Sequence, residues 1–138
     1  MLIALVAMVL GGAVSPAKAQ KPIPNVNDGQ ALQRECQTAL DVADNGLSAN
    51  GASGAQTDDL GRGSDMGQCL GLVSGVWHTH MVMVDELGSP EAFCATESIP
   101  SGQMARLVDS YLDEHPADLQ LWDTVVILRA FVDAFPCR

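Results

Sequence analysis

The chain has 138 residues, with seven basic and 17 acidic side chains and a formal net charge of −10. That length holds one small domain, and the acidic excess excludes nucleic acid and anionic membrane surfaces as natural partners. It suits plain solubility or a basic protein partner.

Residues 2–14 are almost wholly apolar, and Ala17-Lys18-Ala19 ahead of Gln20 has the small-x-small form of a signal-peptidase site. The apolar run is shorter than the ~20 residues a membrane-spanning helix needs. Residues 1–19 therefore read as a cleaved signal peptide, although no Lys or Arg precedes Lys18. Cleavage would leave residues 20–138 as one exported domain with no membrane attachment. Losing Lys18 leaves six basic against 17 acidic residues, a net charge of −11.

Residues 20–27, with Pro22 and Pro24, form an extended lead-in. Asp28 is the expected N-cap of a helix running to about Asn45, with Leu32, Cys36, Ala39, Leu40 and Ala43 facing inward. Asn45-Gly46 is a helix stop. Residues 46–63 are rich in Gly, Ser, Ala and Asn and predict a long flexible loop. Ser64 is the expected N-cap of a central helix ending at Leu87-Gly88. Its apolar stripe is Cys69, Leu72, Val73, Val76, Trp77, His80, Met81 and Val84. Gly67, Gly71 and Gly75 recur every four residues on that helix. Each costs about 1 kcal/mol of helix propensity, so close packing by another helix of the same chain is expected to compensate, with a dimer seam as the alternative.

Ser89-Pro90 breaks the pattern, and residues 91–99 form a connection carrying Cys94. From Cys94 to Cys137 a helical hairpin is predicted, bent at His115-Pro116. Its first arm has Ser101 as N-cap and Met104, Leu107, Val108, Tyr111 and Leu112 on one face. The second arm starts at Pro116 and presents Leu119, Trp122, Val125, Val126, Leu128 or Arg129, Val132 and Phe135. Pro136 stops it. The fold class is thus all-α, a bundle of four to five helices.

Four cysteines, Cys36, Cys69, Cys94 and Cys137, read as a disulfide framework in an exported chain, with three possible connectivities. Cys36–Cys69, joining the first two helices, and Cys94–Cys137, closing the hairpin, are favoured. No C-x-x-C occurs, which argues against a redox motif or zinc ribbon.

A catalytic set is not expected. Gly71-Leu72-Val73-Ser74-Gly75 is G-x-x-S-G, not the G-x-S-x-G nucleophile elbow, and no strand precedes it. His78 and His80 fall about 200° apart around a helix and so cannot share a metal. His78 should be exposed, His80 should border the core, and His115 should serve the bend. No metal, cofactor or catalytic residue is assigned. Asp85 and Glu86 in the last turn of the central helix oppose its dipole, and with Glu91 and Glu97 they would make an acidic patch.

Cys-x5-Pro, then Q-M-A-R-L-V-D-S-Y-L-D-E-H-P, then A-F-V-D-A-F-P-C resembles the Rap/Tai immunity-protein family of type VI secretion systems. The preceding G-Q-C-L-G-L-V-S-G-V resembles that family's central-helix motif. The resemblance covers roughly residues 64–138, and its matching positions are Cys69, Cys94, Pro100, His115, Pro116, Pro136 and Cys137, all scaffold residues. It implies a helical, disulfide-bonded periplasmic protein that blocks a peptidoglycan-cleaving amidase effector and acts as a dimer. Contact residues chosen for their exposure are Asp58, Asp59 and Arg62 in the long loop and Glu114 and His115 at the bend. The alternatives are a small periplasmic acid-stress chaperone, or a helical binding module for another partner.

Overall fold

A computed structural model describes residues 27–46, 55–95 and 97–138. Helix α1 spans Gly29–Asn45, α2 Ala55–Asp85, α3 Ser101–Glu114 and α4 Asp123–Ala134, with a 3-10 turn at Pro116–Gln120 between the last two. No strand occurs among the described residues; one isolated backbone bridge links Asp28 to Trp122. The proposed signal peptide and the lead-in before Asn27 lie outside the described residues.

Local chemistry sets most helix ends. Asp28 caps α1 by accepting the Ala31 N–H at 3.0 Å, which satisfies one of the helix's orphan donors. Gly46 at φ 76° ends it and Gly88 at φ 62° follows α2, the left-handed conformation that a side chain resists. Ser101 is not the N-cap of α3. Pro100 holds that position with no side-chain hydrogen bond, and its carbonyl accepts the Gln103 and Met104 N–H groups.

The core lies where α1, α2, α3 and α4 meet. Leu32, Cys36 and Ala39 face Cys69, Val73 and Trp77, and Met104, Ala105, Val108 and Leu112 close one side. Phe93, from the connection after α2, enters this core. Its ring centroid lies 5.3 Å from those of Trp77 and Phe131, so three aromatic rings seal the lower end with large apolar area. On α1 the inward set holds for Leu32, Cys36 and Ala39. Val42 is buried where Ala43 was expected, and Ala43 is exposed.

Both favoured disulfides form, Cys36–Cys69 and Cys94–Cys137. The first is fully buried between α1 and α2. The second closes the C-terminal region, where the Cys94 N–H also donates to the Phe135 carbonyl at 2.8 Å.

Three expectations fail. The loop predicted over 46–63 is helical from Ala55 onward, so Ser64 lies inside α2 rather than capping it. Extending an existing helix adds a hydrogen bond for each residue ordered and avoids a second nucleation, which outweighs the helix cost of Gly61 and Gly63. The extension is also tied down by Arg62, which donates to Asp41 of α1 at 2.6 Å.

The α2 glycines are not packed against this chain. A Cβ on Gly67, Gly71 or Gly75 would meet nothing within 4 Å. Neighbouring helices cover the Cys69–Val73–Trp77 side instead.

The second hairpin arm is not one helix either. The chain leaves Pro116–Gln120 through an extended Leu121 and restarts at Asp123. That break rephases the arm. Val126, Ile127, Ala130 and Phe131 are buried, while Trp122, Val125, Leu128 and Val132 are exposed. Of the predicted face only Val126 is buried, and Leu119 and Phe135 are half-buried against the core.

Candidate functional site

The five contact residues chosen from sequence fall at two distant places. Asp58 and Asp59 lie in the first turns of α2 and Arg62 one turn further on. They are near the C-terminal end of α1, as the Arg62–Asp41 pair shows. Glu114 ends α3 and His115 caps it. That region adjoins the N-terminal end of α1, because the Gln33 amide donates to Asp113 at 2.9 Å. Their anchor points on α1, Gln33 and Asp41, lie eight residues apart, about 12 Å at 1.5 Å per residue. The two groups do not make one patch.

The two groups also differ in freedom. Arg62 is committed to Asp41, whose carboxyl is held below the usual carboxylate range by Arg62 and then by Asn45. Asp58 is exposed at a helix N-terminus, where its charge is favoured by the helix dipole. His115 stacks on Tyr111 with ring centroids 4.2 Å apart, and its Nδ1 donates to the Tyr111 carbonyl. It serves the bend, as its position beside Pro116 suggested.

Behind that bend lies a polar clamp. Asp118 accepts from the Tyr111 hydroxyl at 2.7 Å and from Arg129 Nη1 at 3.0 and 2.9 Å. Tyr111 comes first and Arg129 second in holding the Asp118 carboxyl low, while burial and then Asp118 push the Tyr111 hydroxyl up. The clamp joins α3, the 3-10 turn and α4, and its charged partners face each other rather than solvent ligands.

The histidines at 78 and 80 point apart. His78 Nδ1 donates to the Ser74 carbonyl at 2.8 Å. His80 Nε2 donates to the Phe93 carbonyl at 3.0 Å, and its ring stacks on that of Phe93. Glu91 lies beside Cys94 and Cys137, but both sulfurs are bonded to each other and offer no thiolate.

The surface that sequence reasoning missed runs between α2 and α4. Val82, Met83 and Leu87 at the end of α2 are exposed, as are Trp122 and Leu128 near and on α4. Exposed apolar residues gathered in this way mark an interaction site more often than a chemical one. A signal was present. Apolar residues over 70–84 occur on every side of the helix, more than one buried stripe requires.

Charge on this molecule is one-sided. Among the described residues Arg62, Arg106 and Arg129 are each paired with an aspartate of the same chain, leaving a strongly acidic exterior. The described surface thus combines dispersed carboxylates with exposed apolar side chains on a disulfide-bonded helical bundle. The family model of Rap1a immunity proteins matches residues 28–137. The chain belongs to that family. No curated protein and no solved structure matches it.

Proposed function

We propose that the protein is a non-enzymatic periplasmic immunity protein. It would bind a peptidoglycan amidase effector of type VI secretion and block that enzyme's active-site cleft. Membership of the immunity family over residues 28–137 carries this reading. Two disulfides support export, because they persist in oxidising compartments. Residues 1–19 would direct export and be removed in the course of it. The resemblance of the hairpin motifs to amidase immunity proteins supplies the effector class.

Asp58 and Asp59 on one side, and Glu114 and His115 on the other, are the proposed polar contacts. Since they adjoin opposite ends of α1, one group would border the cleft while the other stays free or meets a second effector. A homodimer belongs to the same reading. The outer side of α4, with Val125 and Val132 exposed near Trp122, is the apolar face proposed for it.

The test is titration of the purified, oxidised protein against an amidase effector from the same organism, read by calorimetry and by muropeptide release. Inhibition at one protomer per amidase, with Kd below about 1 µM, is expected. Full amidase activity at saturating protein would overturn the proposal. Trp122→Glu should turn a dimer into a monomer in sedimentation without unfolding it.

A further inference from the structure

One line of α2 is left open along most of its length. Gly67, Gly71, Gly75, Thr79 and Met83 recur every four residues, so they trace a band that drifts about 40° round the helix at each step as it runs along about 24 Å. Among the described residues nothing lies within 4 Å of a Cβ placed on any of the three glycines, although each costs about 1 kcal/mol against alanine. The line floors two grooves that run together at Gly71 and Leu72. The first, of about 420 Å³, is bounded by Ala31 and Glu35 of α1 and by Asp123 at the start of α4. The second, of about 530 Å³, is walled by His80, Pro90, Ala92 and Leu128.

The two ends differ in chemistry. Burial, then the charges of Asp65 and Asp123, push the Glu35 carboxyl up, with only Arg34 opposing. That end carries uncompensated negative potential. The other end is mostly apolar, with Thr79, His80, Ser89 and Thr124 in its lining and no carboxylate, and there Met83 is 44 % and Leu128 38 % exposed.

We propose that this trough is the docking channel for one α-helix of the partner. That helix would carry Lys or Arg near the Glu35–Asp123 end and large apolar side chains over the Met83–Leu128 end. An extended segment fits less well, since an apolar channel with no strand edge would strand its backbone N–H and C=O groups. A helix satisfies its own. Over Gly67, Gly71 and Gly75 the floor has no side chains, so there its axis can approach α2 to the short end of the usual 8–10 Å range. A second copy of this chain brings carboxylates to the acidic end, so charge complementarity selects a basic partner. The partner's identity as an amidase rests on the immunity reading; the channel's chemistry does not.

The test fills the trough with Gly71→Leu/Gly75→Leu, which the open space accommodates and which helix propensity favours, so an unchanged or higher Tm is expected. Two probes are used. The first is a phage library of displayed helical peptides, and the second is the amidase effector. Enriched peptides should carry Lys or Arg at one end and Leu, Met or Phe beyond it. They should bind the filled variant at least tenfold more weakly, and lose affinity with Glu35→Gln/Asp123→Asn. No enrichment, peptides without a basic end, or equal binding to the filled variant would overturn the proposal. So would a wild-type dimer that the filled variant dissolves, because a second copy would then occupy the channel. Amidase bound equally by both forms would also overturn it while leaving immunity intact. Peptides seated in the trough with no amidase bound would uphold the channel and sink immunity.

Discussion

Gly29 sits where α1 meets the 3-10 turn. A Cβ there would lie 2.9 Å from the Asp118 carbonyl oxygen and 2.9 Å from Leu119 Cα. Both are backbone atoms, so neither can step aside cheaply. The Gly29 N–H donates to the Leu121 carbonyl at 2.9 Å, so the clash would strain the same junction that carries the Asp28–Trp122 bridge. Gly29→Ala should cost about 1–3 kcal/mol by overpacking, measured as a lower denaturant midpoint. Two carboxylates set opposite pH responses. Glu35 has a folded pKa raised above its unfolded value, first by burial. Its contribution is therefore fully present below the unfolded pKa and is lost as pH rises through the folded one. Asp118 is held low, so its contribution is present above the unfolded pKa and is lost as pH falls through the folded one. Glu35→Gln should raise Tm at pH 7 with less gain on mild acidification. Asp118→Asn should lower Tm at pH 7 and flatten the acid limb. A melting series from pH 7 to pH 3 checks both.

Element by element, the two disulfides contribute alike in loop entropy and differ in access. Their separations of 33 and 43 residues give roughly 4 kcal/mol each in the chain-entropy model. Cys36–Cys69 has no exposed surface, whereas Cys137 lies at the surface. Graded reduction with alkylation and mass spectrometry should label Cys94 and Cys137 first. Cys94→Ala/Cys137→Ala should leave a folded bundle with a lower Tm. The phase of α4 is open to an equally direct check. Val126 is fully buried and Val125 exposed. An aspartate at 126 would bury a carboxylate without a partner and should prevent folding, whereas Val125→Asp should change stability by less than about 0.5 kcal/mol. The opposite pattern in circular dichroism melts would restore the face first expected from sequence.

Across the whole molecule, a 31-residue α2 is paired with shorter helices, so parts of it protrude beyond the core. No helix among the described residues is long and apolar enough to cross a membrane. Val82, Met83 and Leu87 are exposed near the C-terminal end of α2, open to encounter with the proposed partner. Opposite charge should speed that encounter and salt should slow it. Stopped-flow association with the amidase should fall at least several-fold between 50 and 300 mM NaCl, roughly spanning a Debye-length change from 14 to 6 Å. Asp58→Asn/Asp59→Asn should weaken this salt dependence if α2's first turns face the effector.

Residue chemistry alone determined the all-helical class, the Asp28 cap, the glycine stops and the hairpin's two halves. Each is a local event, decided by a few neighbours and a 3.6-residue period. The disulfide pairing followed from Cys36 and Cys69 lying on the first two helices and Cys94 and Cys137 bracketing the hairpin, and the family from the spacing of Cys, Pro and His-Pro around it. Local signals failed where several outcomes cost nearly the same. Thr124-Val125-Val126-Ile127-Leu128 is apolar all round, so only the break at Leu121 and contact with Phe93 and Trp77 chose which side went inward. The glycines at 67, 71 and 75 were expected to pack inside the chain, with a dimer seam as the alternative. The neighbouring helices instead pack against the Cys69–Val73–Trp77 side of α2, which the four-residue spacing alone could not reveal. The five contact residues were chosen for exposure, and the tertiary arrangement of α1 set them at opposite ends. Exposure is a property of single residues, but a binding surface is a property of what the fold brings side by side.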